Sequence, residues 1–329
     1  MKEKALKVTT TVIIPNFNGL KFLDTCLDSL EEQTYRNFRI LFVDNGSTDG
    51  STDWLRAHES DRVRVIFMGK NTGFSAAVNA GIRASDTKYV LLLNNDVRCG
   101  RHFVGEMVRA ISAAPNVFSV ASKMVQMYRP DKLDSAGDLY TILGWAYNRG
   151  TGEDRDSYSR PTEVFSACAG AAIYRRDVFD EIGLFDEMHF AYLEDIDVGY
   201  RARIRGYRNI YWPKAVVYHV GSGTSGSKYN PFKVKLSARN SIYLYYKNMP
   251  PLQRLVNLPA FALGTLVKWV FFACKGYGRD YREGFSEGMR TRESCRRVPF
   301  RWRDVPRYIE IEYELIAAAF LYVRSHLGR

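Results

Sequence analysis

Four short stretches gather the side chains of this chain best suited to chemistry: Asn16-Phe17-Asn18-Gly19, Asp44-Asn45-Gly46-Ser47-Thr48-Asp49-Gly50, Asn71-Thr72-Gly73 and Asn94-Asn95-Asp96. The last has the sharpest setting. The run Tyr89-Val90-Leu91-Leu92-Leu93 ends abruptly in two amides and a carboxylate. A lone carboxylate flanked by amides offers oxygen ligands to a divalent cation; the bland alternative is a polar turn closing a strand. Further on, Glu194, Asp195 and Asp197 crowd one segment. Acidic residues in a first helical turn are stabilised by the helix dipole, so spacing alone is satisfied by an ordinary helix start. His219 stands by itself, and a lone histidine is usually a hydrogen-bonded core or edge residue.

Elements must place these groups. Val8–Ile14, Phe38–Val43, Val63–Phe67 and Tyr89–Leu93 read as strands. Between them lie segments with helical spacing, such as Leu20, Leu23, Cys26, Leu27 and Leu30. Strands alternating with helices predict a mostly parallel sheet, and a continuous apolar run such as Tyr89–Leu93 suits a strand buried on both faces. The four polar stretches each follow one of these strands, so they gather at the carboxyl edge, where open α/β sheets bind ligands. Such a convergence favours a nucleotide pocket over four separate turns. Asp134–Tyr158 reads as a long loop or small subdomain covering the site. Within it Trp145 and Tyr147 could stack on a sugar ring, with buried packing the other role open to each. Gly170 permits close backbone approach. Ile210–His219 reads as a strand broken by Pro213, followed by a polar loop, Gly221–Thr224.

The 329 residues suffice for one large domain or two smaller ones, and the net charge of +11 is uneven: −5 over residues 1–200 and +16 over 201–329. A basic back half suits an anionic membrane surface, a phosphorylated substrate or nucleic acid. Five scattered cysteines without a C-x-x-C indicate reduced thiols rather than a disulfide framework or zinc site. The start, MKEKALKVTT, lacks the apolar core of a secretory signal. Leu255–Cys274 is strongly apolar but carries Asn257, Pro259, Gly264 and Lys268; it falls short of a spanning helix and suits a buried or interfacial one. Glu310–Leu327 predicts a helix with Ile309, Ile316, Phe320 and Val323 on its apolar face.

As a set, Val12–Gly19, Val43–Gly50, Asn71–Phe74, Leu92–Val97, Phe185–Glu187, Tyr192–Asp197 and His219 resemble the inverting family 2 glycosyltransferases, most of all the bacterial rhamnosyltransferase group that builds surface polysaccharides. The resemblance covers roughly residues 8–225 in the family's order. It implies a GT-A fold: a Rossmann-like, mixed and mostly parallel sheet with helices on both faces, over residues 1–225. Residues 226–329 would form a basic, helical, membrane-associated extension.

The resemblance also implies roles. Asp44 would accept a hydrogen bond from the pyrimidine of the donor, Pro15, Asn16 and Phe17 would line the base pocket, and Asn71 and Gly73 would close it. Asn94, Asn95 and Asp96 would face the diphosphate. Asp96 would hold Mn²⁺ or Mg²⁺, with His219 completing the metal site; Asn94 stands where the family usually has a second aspartate. Asp195 would be the catalytic base, with Glu194 orienting it or touching the acceptor beside Gly170 and Trp145. The implied partners are a nucleotide-diphosphate sugar, dTDP-L-rhamnose for this group, and a lipid-linked glycan at the cytoplasmic face of the membrane. The tail would contact anionic lipid peripherally, cap the catalytic domain or form a homodimer interface. Processive relatives carry Q-x-x-R-W, of which only Arg301-Trp302 is present, which favours adding one or a few sugars. A polyprenyl-phosphate sugar synthase of the same fold is the runner-up. A nucleic-acid-binding protein is disfavoured by the acidic front half, and no G-x-G-x-x-G or P-loop follows a strand.

Overall fold

The alternation of apolar strands and amphipathic helices in the first hundred residues produces, in the computed structural model, β1 (Thr10–Asn16), α1 (Leu20–Glu31), β2 (Phe38–Asp44), α2 (Ser51–Ala57), β3 (Val63–Phe67), α3 (Phe74–Ala84) and β4 (Tyr89–Leu93). The structure describes residues 8–221 and 229–327. Most of the expected Gly221–Thr224 loop, and the expected division at residue 225, lie outside the described residues.

β1 is paired in parallel with β2 on one side and β4 on the other, and β2 with β3. The chain continues through β5 (Val97–Cys99), α4 (Phe103–Ser112), β6 (Val117–Gln126) and β7 (Arg129–Ser135). A small hairpin, β8 (Asp138–Tyr140) with β9 (Ala146–Asn148), then leads to β10 (Thr162–Val164), β11 (Ala171–Arg175), α5 (Val178–Ile182), α6 (Glu194–Ile204) and β12 (Arg208–His219). The main sheet runs β10-β12-β6-β11-β4-β1-β2-β3, with β5 on β12 and β7 on β6. β11 is inserted antiparallel between β4 and β6, so the sheet is mixed. The register of β12 on β6 slips between Trp212 and Val216, around Pro213, where a strand lacks an N–H to donate.

Both faces of the sheet are covered. On β4, Leu91 and Leu93 join one core with α1 and α4, while Val90 and Leu92 join the other with α3 and α5. This is why the sequence there is apolar without alternation.

Four helices complete the chain: α7 (Pro231–Asn248), α8 (Pro251–Cys274), α9 (Gly278–Thr291) and α10 (Val305–Leu327). Asn230 caps α7 by accepting the Lys233 N–H at 2.9 Å. Gly284 and Gly288, one turn apart, let α9 lie against α7: a Cβ at Gly284 would sit 2.1 Å from the Lys235 carbonyl oxygen. α7 and α10 share a core with α6, formed by Tyr200, Ile204, Leu244, Tyr308, Ile311 and Leu315.

Two expectations for this region are corrected. α10 buries Tyr308, Ile311 and Leu315, whereas Ile309, Ile316, Phe320 and Val323 are exposed. The helix has two apolar sides, and the one expected from the sequence, with Ile309, Ile316, Phe320 and Val323, faces solvent. Among the described residues, α8 is the one helix long and apolar enough to cross a membrane, and most of its surface is exposed. Its inner side is nonetheless tied to the body: Asn257 is fully buried and donates to Glu312 at 2.9 Å.

Candidate active site

The carboxyl ends of β1, β2 and β4 open onto a cleft of about 750 Å³. Pro15, Asn16 and Phe17 line one side, and Asn71 and Gly73 another. Asn94, Asn95 and Asp96 lie on its wall with Gly170, Glu194, Asp195 and His219. The loops are held by side-chain amides. Asn95 Nδ2 donates to Asn16 Oδ1 at 2.6 Å, and Asn16 Nδ2 donates to Asp44 Oδ1 at 3.1 Å. Asn45 ties the loops after β2 and β3, donating to Asn71 Oδ1 and to the Gly73 carbonyl, both at 3.1 Å. Gly73 has φ +89°, and a Cβ there would meet the Phe190 ring at 2.6 Å. Only glycine closes that corner.

Two expected residues do not reach the wall. Asp44 is buried beneath it, its carboxylate taken by Asn16, by the Ser47 N–H at 3.2 Å and by the Thr52 hydroxyl at 3.3 Å. It ties the loops after β1 and β2 directly behind the cleft residue Asn16. Trp145 points away, its indole N–H donating to the Gly264 carbonyl of α8 at 3.0 Å and its ring edge-on to Tyr322. Its neighbour Tyr147 does line the cleft.

The end of β4 and the end of β12 meet at Asp96 and His219. His219 Nε2 lies 3.3 Å from Asp96 Oδ1, and Nδ1 lies 2.7 Å from Asp134 Oδ2. Burial pushes the imidazole pKa down, but its bonds to Asp134 and Asp96 outweigh that and lift it to about 10. Held this way the ring keeps both of its protons, so an ion at Nε2 would displace the proton that faces Asp96, and the residues fit a metal site on that exchange. A carboxylate on one ring nitrogen fixes the imidazole and leaves the other nitrogen, next to a second carboxylate, for the ion.

Asp195 and Glu194 open α6. Three of the four residues before them are set in unusual backbone: Phe190, Tyr192 and Leu193 have φ of 62°, 71° and 68°. Positive φ at a non-glycine residue costs on the order of 1–3 kcal/mol, so three in four residues need external support. Asn240 of α7 supplies it. Its amide donates to the carbonyls of His189, Ala191 and Tyr192 at 2.9, 2.9 and 2.7 Å. Arg239 adds bonds to the carbonyls of Met188 and His189, each at 3.0 Å.

Three carboxyls in one turn of α6 are pushed apart electrostatically. Asp197 is fully buried, but Arg201 at 2.8 Å, Lys247 at 2.9 Å and Asn248 at 2.9 Å hold its pKa far below the usual range against the burial that would raise it. Glu194 is raised well above that range by burial and then by Asp195. Asp195 is raised too, by burial, with the backbone N–H groups of Ile196 and Ala169 restraining the shift. A carboxyl poised above its usual pKa, on a cleft wall, suits a general base. Arg201 thus neutralises Asp197 rather than the two residues at the cleft.

Sequence reading gave no role to Asp134, Asp138, Cys168 or the aromatic rim of Phe190 and Phe232. Asp134 and Asp138 fall in the segment expected to cover the site, but nothing local marks them. Asp138, Cys168 and Asp195 bring ligand atoms within 4.8 Å of one another. Burial and the neighbouring carboxyls keep the Cys168 thiol protonated, so this trio suits proton sharing better than a hard cation.

The family described as Glycosyl transferase family 2 matches residues 11–183, just over half of the chain. Uncharacterized protein y4gI of Sinorhizobium fredii is 31% identical over 236 residues, which are 68% of this chain but 26% of that protein, so the chain spans about a quarter of that relative. The N-acetylglucosaminyl-diphospho-decaprenol L-rhamnosyltransferase of Mycobacterium tuberculosis is 30% identical over 244 residues, covering 65% of this chain and 77% of the relative. Among solved structures, that of GalNAc-T7 with UDP, GalNAc and Mn²⁺ aligns with a TM-score of 0.59 at 16% identity, over 74% of this chain and 48% of that one.

Proposed function

The chain belongs to glycosyl transferase family 2 and has the GT-A fold, and from that premise we propose that it transfers L-rhamnose from dTDP-L-rhamnose, with inversion, to a hydroxyl of a lipid-linked glycan. The observation that carries this reading is the single cleft that collects the base-pocket residues, the Asp96–His219 pair and Asp195. The rhamnosyl group and the lipid-diphosphate acceptor follow the activity of the mycobacterial relative, and the dTDP carrier follows the family resemblance of the sequence motifs.

Asp195 accepts the proton of the acceptor hydroxyl as that oxygen attacks the anomeric carbon. The bond from that carbon to the nucleoside diphosphate breaks, and the diphosphate leaves with the electron pair. One carboxylate base suffices for a single displacement; the paired nucleophile of a retaining glycosidase is not required. Glu194, whose buried carboxyl is held above its usual range beside Asp195, would orient the base or touch the acceptor. Asp96 and His219 would hold Mn²⁺ or Mg²⁺, which when bound supplies positive charge to the diphosphate. Asn16, Asn71 and Gly73 shape the base pocket, and Asp44 fixes its loops.

The chain works, in this reading, on the cytoplasmic face of the membrane, with residues 226–329 as its lipid-facing part. The support is the exposed apolar side of α8 together with its anchored inner side, which together favour lying on a bilayer over crossing it.

The test is transfer by the purified full chain with Mn²⁺, dTDP-L-rhamnose and either a diphosphate-linked acceptor or polyprenyl phosphate. Rhamnosyl transfer to the former supports the reading, and transfer only to the latter makes the chain a polyprenyl-phosphate sugar synthase. Asp195→Asn should abolish turnover while dTDP still binds; unchanged turnover removes Asp195 as the base. Asp96→Ala should remove the Mn²⁺ dependence of nucleotide binding, and an undiminished dependence moves the metal elsewhere.

A further inference from the structure

A second cavity of about 750 Å³ lies between the last turns of α7 and the helices α8 and α9. Its walls include Tyr245, Leu258, Leu266, Trp269 and Phe285. Leu255, Leu258, Leu266 and Trp269 line it and are also 41–68% exposed, so its mouth opens on the apolar side of α8.

At Tyr246, on the wall of this groove, three guanidinium groups crowd one ring. The central carbons of Arg254, Arg292 and Arg297 lie 5.0, 5.7 and 5.3 Å from the ring centroid. None of the three has a carboxylate within ion-pair distance among the described residues, although other arginines of α7, α9 and α10 do. The Nε atoms of Arg254 and Arg292 are buried without a hydrogen-bond partner. Burial, and next the charge of Arg297, push Arg254 below the usual guanidinium pKa. An aromatic face attracts a cation but is no counter-ion. Like charges gathered at the side of an apolar groove are complementary to an amphiphile with an anionic head.

We propose that this groove binds one anionic phospholipid of the bilayer, its phosphate between Arg254, Arg292 and Arg297 and an acyl chain along Leu258, Leu266 and Trp269. The proposal rests on the membrane placement given above and adds a site to it. The lipid is not the acceptor in the act of reaction. α7 meets the catalytic cleft through Asn230, Phe232, Lys233 and Ser237, whereas it meets the groove through Ile242, Tyr245 and Tyr246. From Ser237 to Tyr246 the helix advances roughly 13 Å and turns to its other side.

The experiment is calorimetric titration of the full chain with soluble short-chain phosphatidylglycerol below its micelle concentration. Glycerol phosphate, short-chain phosphatidylcholine and geranyl phosphate form the other arms. Phosphatidylglycerol should bind with one-to-one stoichiometry and more tightly than any of these. Replacing Arg254, Arg292 and Arg297 together by Gln should weaken it by about tenfold or more. A control with Lys275, Arg290 and Arg303 changed to Gln carries the same net charge and should bind as the parent does. Ala262→Trp fills the groove without touching a charge and should also weaken binding. Equal affinity in the arginine variant and the control overturns the site. So does glycerol phosphate binding as tightly as the lipid, or tighter binding of geranyl phosphate, which would assign the groove to the acceptor's lipid. Sedimentation with phosphatidylglycerol vesicles separates the two readings. If the chain binds vesicles but not the soluble lipid, the site falls and the membrane placement stands; if it binds neither, both fall.

Discussion

His189 carries a pH dependence that can be worked out from its surroundings. The ring is fully buried, edge-on to Tyr243 with centroids 5.8 Å apart, and neither nitrogen has a hydrogen-bond partner among the described residues. Burial lowers its pKa from 6.5 to about 4, with Asp197 opposing the shift and Lys247 adding to it. Between these values the unfolded chain binds a proton that the folded chain refuses. Stability therefore falls as pH drops through that window, and the loss levels off below about 4. The full linkage is about 3 kcal/mol, of which about 2 kcal/mol has been lost by about pH 5. His189→Phe keeps an aromatic ring against Tyr243 and removes the proton site. Any packing cost of the larger ring acts equally at both pH values and cancels. The assay is urea unfolding followed by tryptophan fluorescence at about pH 7 and about pH 5, on both proteins. The parent should lose about 2 kcal/mol more than the variant over this interval. An equal loss in the two proteins would mean that His189 titrates normally in the fold, and the reasoning would fail.

Lys247→Met leaves Asp186 without its partner at 2.6 Å and weakens the neutralisation of buried Asp197; thermal unfolding should show a loss of about 3 kcal/mol. Asp197, held ionised, contributes stability that is present above the unfolded carboxylate pKa near 4 and lost as pH falls below it, so the acid limb of unfolding should be shallower in Asp197→Asn. Asn240→Ala strands the carbonyls of Ala191 and Tyr192 before α6, while that of His189 keeps Arg239, and should cost about 2 kcal/mol, with faster proteolysis around residues 190–193. Trp145→Ala should destabilise by about 2 kcal/mol yet leave the KM for both substrates unchanged, since the indole faces α8.

The strands that floor the cleft were legible because their physics is local. Tyr89–Leu93 is apolar at every position because both faces of β4 are covered, and the amides after it follow from ending at a sheet edge. What was not legible depends on long-range pairing. Asp134 meets His219 across 85 residues, and Asn240 meets Tyr192 across 48, and neither partner carries a local signal. On α10 one apolar side carries Ile309, Ile316, Phe320 and Val323 and another carries Tyr308, Ile311 and Leu315, so periodicity alone does not choose which is buried. Residue type left Trp145 open to stacking on a sugar or to buried packing, and the choice depends on Gly264 and Tyr322, more than a hundred residues away.

The clamp of Asn240 on residues 189–192 also bears on how such a chain can be recombined. The match to the family ends at residue 183, just short of that segment, which invites treating the later helices as an exchangeable tail. They are not freely exchangeable, because the bent backbone that presents Asp195 is completed by an amide borrowed from α7. A graft of a foreign tail would have to bring an equivalent three-way donor at the same helical position.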